Sequence, residues 1–289
     1  MNINKMESKL TLLDTSTFLQ PLEMLAVAPT SLYITGTLPE VRQPVVAIVG
    51  TRRPSSYGKE VTYQLAHALA RKGVIIVSGL AFGIDAIAHR AALDAKGMTI
   101  AVLAGGLDNI YPRSHVGLAK SIIQSGGALV SEYPHGIKAR QYQFLARNRL
   151  VSGLSDGVIV TEAAERSGTL STINHALDQN KEVFAVPGNI TSPLSIGPNR
   201  FIAQGAHPVL SVESILEVIA PHIVVAEQAP ILTDAEHQLV SLIKQGIHDG
   251  DALREHSTLG TAEFLQTLTI LEVNGHIRSV GPNQWGTTV

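Results

Sequence analysis

Short apolar runs alternate with longer amphipathic segments through the middle of this chain. The runs are rich in β-branched residues, and the segments between them repeat their apolar positions at the helical period of about 3.6 residues. In chain order the apolar runs are VVAIVG, VIIVSG, TIAVLAGG, ALVSEY, GVIVTE and EVFAVPG. This alternation predicts βα units on a mostly parallel sheet with helices on both faces, which is a Rossmann-like α/β fold.

The pattern changes near residue 220, where the alternation of strands and helices stops. Beyond it, TDAEHQLVSLIKQG has Thr233 followed three residues later by Glu236, a capping-box pattern that predicts the start of a helix. Two more helical segments follow, and HIRSVGPNQWGTTV predicts two short strands around a Gly-Pro-Asn turn. We therefore expect four regions: a reduced N-terminal extension (1–43), a Rossmann-like domain (44–220), a linker (221–231) and a small winged-helix domain (232–289).

The composition excludes several kinds of chemistry. The 289 residues include no cysteine, so disulfides, thiolate metal sites and cysteine nucleophiles are absent. The lack of cysteine, of a secretory signal in MNINKMESKL and of a long apolar run predicts a cytoplasmic protein. The 11 histidines show no HxH or HExxH spacing, so we expect neither a metal ion nor a cofactor.

The charge is distributed unevenly along the chain. The net charge is −2, but residues 232–289 hold 3 basic and 7 acidic side chains, so this tail carries a charge of −4. Residues 138–149 show the opposite imbalance, with four basic side chains and no acidic one. The total charge therefore does not argue against a nucleic-acid partner, because the position of the charges matters more than their sum.

Three of the predicted strands run into turns that contain glycine. Glycine lets the backbone turn tightly, and the amides of such a turn bind anions together with the start of the next helix. The first of these turns, in VAIVGTRRPSSYG, matches neither the GxGxxG motif nor a P-loop in its spacing. The alternative interpretation is that this turn is only structural and that its two arginines are solvated. Because parallel strands end at one edge of a sheet, we expect a shared phosphate-type site. Its candidate residues are Gly50, Thr51, Arg52, Ser78, Gly79, Gly105 and Gly106.

The basic segment KARQYQFLARNR combines aromatic and cationic side chains. An aromatic ring that stacks on a base, next to cations that hold the phosphates, is the usual arrangement in proteins that bind single strands. The alternative is that Phe144 belongs to the core and that the arginines lie on a solvated helix face. The candidate residues of this segment are Lys138, Arg140, Phe144, Arg147, Asn148 and Arg149.

The strand GVIVTE leads into a further candidate phosphate site. Ser167, Gly168 and Thr169 open a helix with free amides and two hydroxyl groups. Glu162 lies at the end of this strand and could act as a general base or hold an arginine, and we favour a structural role. Asp85, in the segment SGLAFGID, is interpreted as a helix-start residue rather than a catalytic base.

Taken in order, these segments resemble the DNA-processing protein A family, also called DprA or Smf. The resemblance rests on VAIVGTRRPSSYG, SGLAFGIDAIAHRAAL, TIAVLAGGLDNIYP, LVSEYP, FLARNRLVSGLSDGVIVTEA, SGTLSTINHAL and VFAVPGNITSPLSIGPNRFIAQGA. It covers about residues 29–220 and implies a homodimer that binds single-stranded DNA and helps to load the RecA recombinase in natural transformation, with no established enzymatic activity. By this resemblance Arg52 is a phosphate ligand, Phe144 meets a base, and Arg147 to Arg149 form the RNR motif. The family often has FPxRNR where this chain has FLARNR, and the family's N-terminal helical domain is missing or reduced.

Two further interpretations remain beside that one. The same fold hosts nucleoside-monophosphate phosphoribohydrolases with PGGxGTxxE at a strand end, but here ERSGTLST places Thr172 where the catalytic glutamate would be. A plain nucleotide-sensing module is the other interpretation.

In the C-terminal domain, residues 259–275 contain two glutamates and no lysine or arginine. This lack of positive charge disfavours duplex binding and predicts a protein-interaction or structural role for the domain.

Overall fold

The computed structural model describes residues 9–11, 17–221, 223, 233–274 and 276–287. The chain divides into two compact units, Met1–Ile223 and Val224–Val289. Within the described ranges, no helix is both long enough and apolar enough to cross a membrane. Most of the predicted linker, 221–231, lies outside the described residues.

The first unit is built on a nine-stranded sheet with the order β1-β2-β6-β5-β4-β3-β7-β8-β9. The six strands predicted from apolar runs all form, and the strands from β3 onwards pair in parallel. The predicted mostly parallel sheet is therefore confirmed. The strands are β1 (Lys9–Thr11), β2 (Leu32–Gly36), β3 (Val45–Val49), β4 (Ile75–Ser78), β5 (Thr99–Leu103), β6 (Ala128–Ser131), β7 (Gly157–Val160), β8 (Glu182–Ala185) and β9 (His207–Pro208).

Helices cover both faces of this sheet because its strands are apolar on both sides. Along β3, Val45, Ala47 and Val49 pack on one face, whereas Val46 and Ile48 pack on the other. All five side chains are buried, and this explains why the strand is a continuous apolar run instead of an alternating one. The helices are α1 (Ser56–Arg71), α2 (Ile84–Asp94), α3 (Val116–Gln124), α4 (Gln141–Leu154), α5 (Thr169–Asp178), α6 (Ile196–Ala203) and α7 (Val212–Ile219).

The sheet begins earlier in the chain than the sequence pattern indicated. β2 pairs antiparallel with β6, and β1 pairs antiparallel with β2, so part of the expected N-terminal extension extends the sheet at one edge. Phe18, Leu19 and Leu22 are fully buried in the core. The two-residue strand β9 extends the opposite edge. Such short edge strands carry too few residues to show a period of two.

The strand order reverses between β3 and β7. The chain winds outward from β3 through β4 and β5 to β6, then returns so that β7 lies on the other side of β3. In open parallel sheets, ligands bind beyond the carboxyl ends of the strands at such a reversal. The turns after β3, β4 and β7 therefore mark the place where a site is expected.

The second unit consists of three helices and a hairpin with its own core. Leu239, Leu253, Phe264 and Leu271 are among its buried residues. The predicted capping box forms, because Thr233 Oγ1 accepts from Glu236 N and Glu236 Oε2 accepts from Thr233 N. This order of elements agrees with that expected for a winged helix, an assignment that stays a prediction. The elements are α8 (Asp234–Lys244), α9 (Gly250–His256), α10 (Thr261–Val273), β10 (Ile277–Gly281) and β11 (Gln284–Thr287).

Candidate nucleic-acid interface

A crevice of about 720 Å³ lies beyond the carboxyl ends of β3, β4 and β7. It is therefore located at the reversal of strand order, as the sequence pattern predicts for a ligand site. Its volume lies within the range of about 300 to 1,000 Å³ that is typical of small-ligand pockets. Ten of the sixteen predicted site residues line it: Gly50, Thr51, Arg52, Gly79, Phe144, Arg147, Asn148, Ser167, Gly168 and Thr169.

An exposed cation and two aromatic rings lie together on the crevice wall. The Arg52 guanidinium carbon is 5.4 Å from the centre of the Phe144 ring, a cation–π contact. The Tyr111 ring meets Phe144 edge to face, with 5.5 Å between ring centres. Arg52 is solvent-exposed, and its guanidinium makes no hydrogen bond or ion pair with any residue that the structure describes. Its charge is therefore available to an anion from outside.

The turn that carries Arg52 is fixed by hydrogen bonds to the segment after β7 and to the start of α5. Thr51 N donates to the Glu162 carbonyl at 2.7 Å, and Thr169 Oγ1 donates to the Gly50 carbonyl at 2.9 Å. The Glu162 carboxylate accepts from Ser55 N at 2.9 Å and from Ser55 Oγ at 2.6 Å. The structural role favoured for Glu162 is thus confirmed, although its partner is a serine at the start of α1 and not an arginine.

Arg147 lies at the floor of the crevice, where it is 4% exposed. Its Nη1 donates to the Gly79 carbonyl at 2.7 Å and also to the Val102 carbonyl. Burial lowers the pKa of Arg147, and the nearby Asp85 opposes that shift. The alternative that places this arginine on a solvated helix face is wrong, because the side chain is buried. Its assignment to DNA binding stays a prediction.

Asp85 lies beside Arg147 and also lines the crevice. Its Oδ2 accepts hydrogen bonds from Gly79 N at 3.1 Å and Ala81 N at 3.3 Å, which fixes the turn after β4. Burial raises the pKa of Asp85, whereas Arg147 and the two amide donors act in the opposite direction. The interpretation of Asp85 as a helix-start residue is confirmed, but its position on the crevice wall was not predicted.

The start of α5 forms another part of the wall, with its hydroxyl groups already engaged. Ser167 Oγ donates to Thr169 Oγ1 at 3.0 Å and accepts from Thr169 N at 3.2 Å. Asn148 Nδ2 donates to the Gly168 carbonyl at 3.4 Å, so α4 and α5 are joined at this point. Thr172, where the hydrolases carry a glutamate, is buried in the same wall and supplies no carboxylate.

Three predicted residues are buried below the crevice and do not line it. Ser78 is fully buried, and its hydroxyl group donates to the Ile48 carbonyl at 2.7 Å. Gly105 and Gly106 are covered by the segment that precedes α4, and Gly106 N donates to the Ile137 carbonyl at 2.8 Å. The expectation that these residues line the pocket is wrong. The glycines serve instead to let the backbone at 137–139 approach closely, since a Cβ on Gly105 would lie 2.9 Å from Ala139 N.

Three predicted cations also lie away from the crevice wall. Arg149 pairs with Glu132, at 2.6 Å from Nη2 to Oε1, and its charge is neutralised there. Lys138 and Arg140 are exposed, and their neighbours Ala139 and Gln141 line the crevice. These two cations therefore lie beside its mouth. Of the lining residues, Tyr111 and Arg166 were not singled out from the sequence, although Arg166 directly precedes the predicted Ser167.

The profile of the family described as DNA recombination-mediator protein A matches residues 9–220. The chain belongs to this family. The match spans all strands of the nine-stranded sheet, including the edge strands that the sequence pattern did not reveal. The family assignment made from the sequence is confirmed.

Similar proteins support the same assignment. The chain is 48% identical to Protein Smf of Escherichia coli over 199 residues, which is 68% of this chain and 53% of that protein. It is 48% identical to DNA processing protein DprA of Bacillus subtilis over 172 residues, 60% of this chain and 58% of that protein. The matched region thus spans little more than half the length of these relatives. The Bacillus subtilis relative is named for DNA processing.

Two solved structures share the fold. DNA processing protein A from Streptococcus pneumoniae superposes with a TM-score of 0.68 at 36% identity, covering 75% of this chain and 76% of that one. The protein of the same name from Helicobacter pylori, whose structure concerns its single-stranded DNA binding mode, gives a TM-score of 0.66 at 32% identity. That match covers 77% of this chain and 99% of the other. The Rossmann-like fold is confirmed.

Proposed function

We propose that this protein binds single-stranded DNA in the crevice, protects incoming DNA, and helps to load the RecA recombinase during natural transformation or recombination, without catalysing a reaction. The observation that carries the proposal is the exposed Arg52 guanidinium beside Phe144 on the wall of a crevice at the strand reversal. The single-stranded DNA binding of the Helicobacter pylori relative supports it.

The geometry suits an unpaired strand for two reasons. Arg52 is a free cation for a backbone phosphate, and exposed Lys138 and Arg140 lie beside the mouth where neighbouring phosphates would pass. Phe144 and Tyr111 offer ring surfaces on which an unpaired base can stack. Phosphates and base faces are common to all nucleotides, so the proposal expects binding that tolerates any sequence.

Two substitutions separate the electrostatic part of the proposal from the stacking part. Arg52→Ala should weaken the binding of oligothymidine and reduce the slope of log K against log salt by roughly 0.7, the value for one phosphate on a single strand. Phe144→Ala should weaken binding by about 1 to 3 kcal/mol with little change of slope, because stacking releases no counterions. Fluorescence titration of a labelled oligothymidine at several salt concentrations measures both quantities.

Arg71→Ala is the matched control, since Arg71 is an exposed arginine near the end of α1 and does not line the crevice. It should leave affinity and slope close to those of the wild-type protein. Wild-type affinity in both the Arg52 and the Phe144 variants would remove the crevice as the DNA site.

The proposal includes two protein partners, a second copy of the chain and RecA. Analytical ultracentrifugation of the protein alone should give the mass of a homodimer. Addition of the protein to single strands coated with single-strand-binding protein should speed RecA filament assembly. A monomer mass, or filament growth at the unassisted rate, would contradict the corresponding part of the proposal.

A further inference from the structure

The helix α10 of the second unit is apolar on both of its sides. Its inner side packs on the core of that unit through the buried residues Phe264, Leu268 and Leu271. Its other side exposes the apolar side chains Leu265, Ile270 and Val273. A helix that is apolar all round is ordinarily covered on all sides, whereas a surface helix carries polar residues on its solvent side. The exposed side of α10 therefore has the composition of a contact surface.

The helix α8 shows the contrast within the same unit. Its exposed side chains are all polar: Asp234, His237, Ser241 and Lys244. Between the buried Phe264 and Leu271, by comparison, α10 exposes no charged side chain: Leu265, Gln266, Thr269 and Ile270. The Thr269 hydroxyl group donates to the Leu265 carbonyl at 2.8 Å, so its hydrogen bond is made within the helix. Covering this face would therefore leave few polar groups without a partner.

Two glutamates border this face, one on each side. Glu263 and Glu272 are nine residues apart, and at about 100° per residue they lie on opposite sides of the helix. Both are exposed, and neither carboxylate makes a hydrogen bond or an ion pair with a residue that the structure describes. The basic residues of the C-terminal segment 232–289 belong to other elements, and they are Lys244 in α8, Arg254 in α9 and Arg278 in β10.

This charge pattern decides among the possible occupants of the face. DNA would bring phosphates against two carboxylates with no cation on the helix. A second copy of the same face would bring glutamates against glutamates, in a segment whose charge is already −4. A protein segment with an apolar stripe between lysines or arginines complements both the apolar centre and the acidic borders.

We propose that this outer face of α10 docks a protein partner that presents a basic amphipathic helix. Apolar side chains of the partner helix pack on Leu265, Ile270 and Val273. Its lysines or arginines lie beside Glu263 and Glu272. The stretch from Leu265 to Val273 rises by about 12 Å, so a partner helix of about three turns covers it. The surface belongs to the second unit, and the inference goes beyond the proposed DNA binding and does not depend on it.

The first test uses the full-length protein and three fluorescent helical peptides. One has a leucine stripe flanked by lysines, the second has glutamates in place of the lysines, and the third has serines in place of the leucines. The lysine–leucine peptide should bind at least about tenfold more tightly than either of the others, because it alone matches both features of the face. Its affinity should fall as salt rises. Equal binding of the glutamate peptide, or no binding of the lysine–leucine peptide, would overturn the inference.

The second test locates the peptide with two double variants. Leu265→Ser with Val273→Ser should weaken binding of the lysine–leucine peptide about tenfold or more, because apolar burial is lost at two positions. Glu263→Gln with Glu272→Gln keeps the size of the side chains and should weaken binding about fivefold, with a smaller response to salt. Thermal unfolding checks that both variants are folded.

Val41→Ser is the matched control, because Val41 is 77% exposed in the first unit and Val273 is 80% exposed. This variant should bind the lysine–leucine peptide as the wild-type protein does. Wild-type affinity for that peptide in the double serine variant or in the double glutamine variant would overturn the inference.

The double serine variant also detects the other occupants. Its oligomeric mass in analytical ultracentrifugation and its affinity for duplex DNA should equal those of the wild-type protein. A lower oligomeric mass would place a second copy of the chain on the outer face of α10, and weaker duplex binding would place DNA there. Either result would overturn the inference.

Discussion

At the scale of single residues, His89 is a fully buried histidine whose two ring nitrogens have different surroundings. The Thr99 hydroxyl group donates to the Ile76 carbonyl at 2.7 Å, so it accepts from His89 Nδ1, also at 2.7 Å. His89 Nε2 is enclosed and has no partner among the described residues. Burial, followed by electrostatic interactions with His115 and Arg147, lowers the pKa of His89 to about 3. This histidine is therefore neutral in the folded protein at all ordinary pH values.

The depressed pKa predicts a loss of stability in mild acid. The unfolded chain binds a proton at His89 below a pH of about 6.5, whereas the folded protein does not until about pH 3, so unfolding is favoured as the pH falls between these values. Between pH 7 and pH 5 the free energy of unfolding should decrease by about 2 kcal/mol through this residue alone. Urea titrations at pH 5, 6 and 7 measure the decrease, and His89→Asn should remove that part of it.

His237→Asn is the control, because His237 is exposed on α8. It should leave the pH dependence of the wild-type protein unchanged. If the His89 variant loses as much stability on acidification as the wild-type protein, the account of its buried neutral state is wrong.

The sequence identified several residues of the site and misplaced others for a physical reason. Arg52 and Phe144 were predicted and lie together on the crevice wall. Arg147 was expected on a solvated or DNA-facing surface, yet it is spaced at helical intervals from Leu150, Val151 and Leu154, which are all buried. That spacing puts it on the inner face of α4. The burial of Arg147 could not be predicted from composition alone, because an arginine is buried only where main-chain carbonyls are placed to accept hydrogen bonds from it.

At the scale of secondary structure, the turns after β3 and β4 are packed against each other. Gly83 has a φ of +76°, and a Cβ there would lie 2.7 Å from both the carbonyl carbon and the oxygen of Arg52. Ile84 N donates to the Thr51 carbonyl at 3.2 Å across the same junction. The turn that carries Arg52 therefore depends on a glycine that begins α2.

Gly83→Ala is predicted to weaken both folding and DNA binding. The backbone conformation is unfavourable for alanine, and the overlap with Arg52 backbone atoms must be relieved by moving the turn, so stability should fall by about 1 to 3 kcal/mol. Affinity for oligothymidine should fall as well, because Arg52 moves with its turn. Thermal unfolding and oligothymidine titration provide the two measurements.

Gly117→Ala is the matched control in α3. A Cβ at Gly117 would lie in open space, so the stability of this variant should stay the same or rise by up to about 1 kcal/mol. Wild-type stability and affinity in Gly83→Ala would contradict the proposed dependence of the Arg52 turn on this glycine.

Among the elements, the central strands were the easiest to predict. Apart from the exposed Glu182 at the start of β8, the residues of β3 to β8 are buried on both faces of the sheet, so the sequence pattern is strong. β1 and β9 have three and two residues, and their role as edges depends on pairing with distant strands. The loop before α4 also could not be predicted, because its path over Gly105 and Gly106 is set by tertiary contacts.

At the scale of the whole molecule, the net charge of −2 conceals two regions of different character. The arginines that line the crevice and the cations beside its mouth all belong to the first unit. The second unit is acidic, and its helix α10 has Glu263 and Glu272 but no basic residue. The division near residue 220 and the acidic tail are visible in the sequence. The convergence of separate turns on one crevice follows from the strand order, which no local pattern encodes.

The central claim is that the protein holds an unpaired strand, and a comparison of single-stranded with double-stranded DNA tests it most directly. A duplex keeps its bases stacked and paired, so it cannot place a base against Phe144 or in the crevice. The net charge of −4 on residues 232–289 does not favour duplex binding either. The full-length protein is titrated with an oligothymidine and with a duplex of equal length over a series of salt concentrations. We predict tighter binding of the single strand at every concentration, with an affinity that falls as salt rises. Equal or tighter binding of the duplex, or single-strand binding that does not respond to salt, would contradict the account.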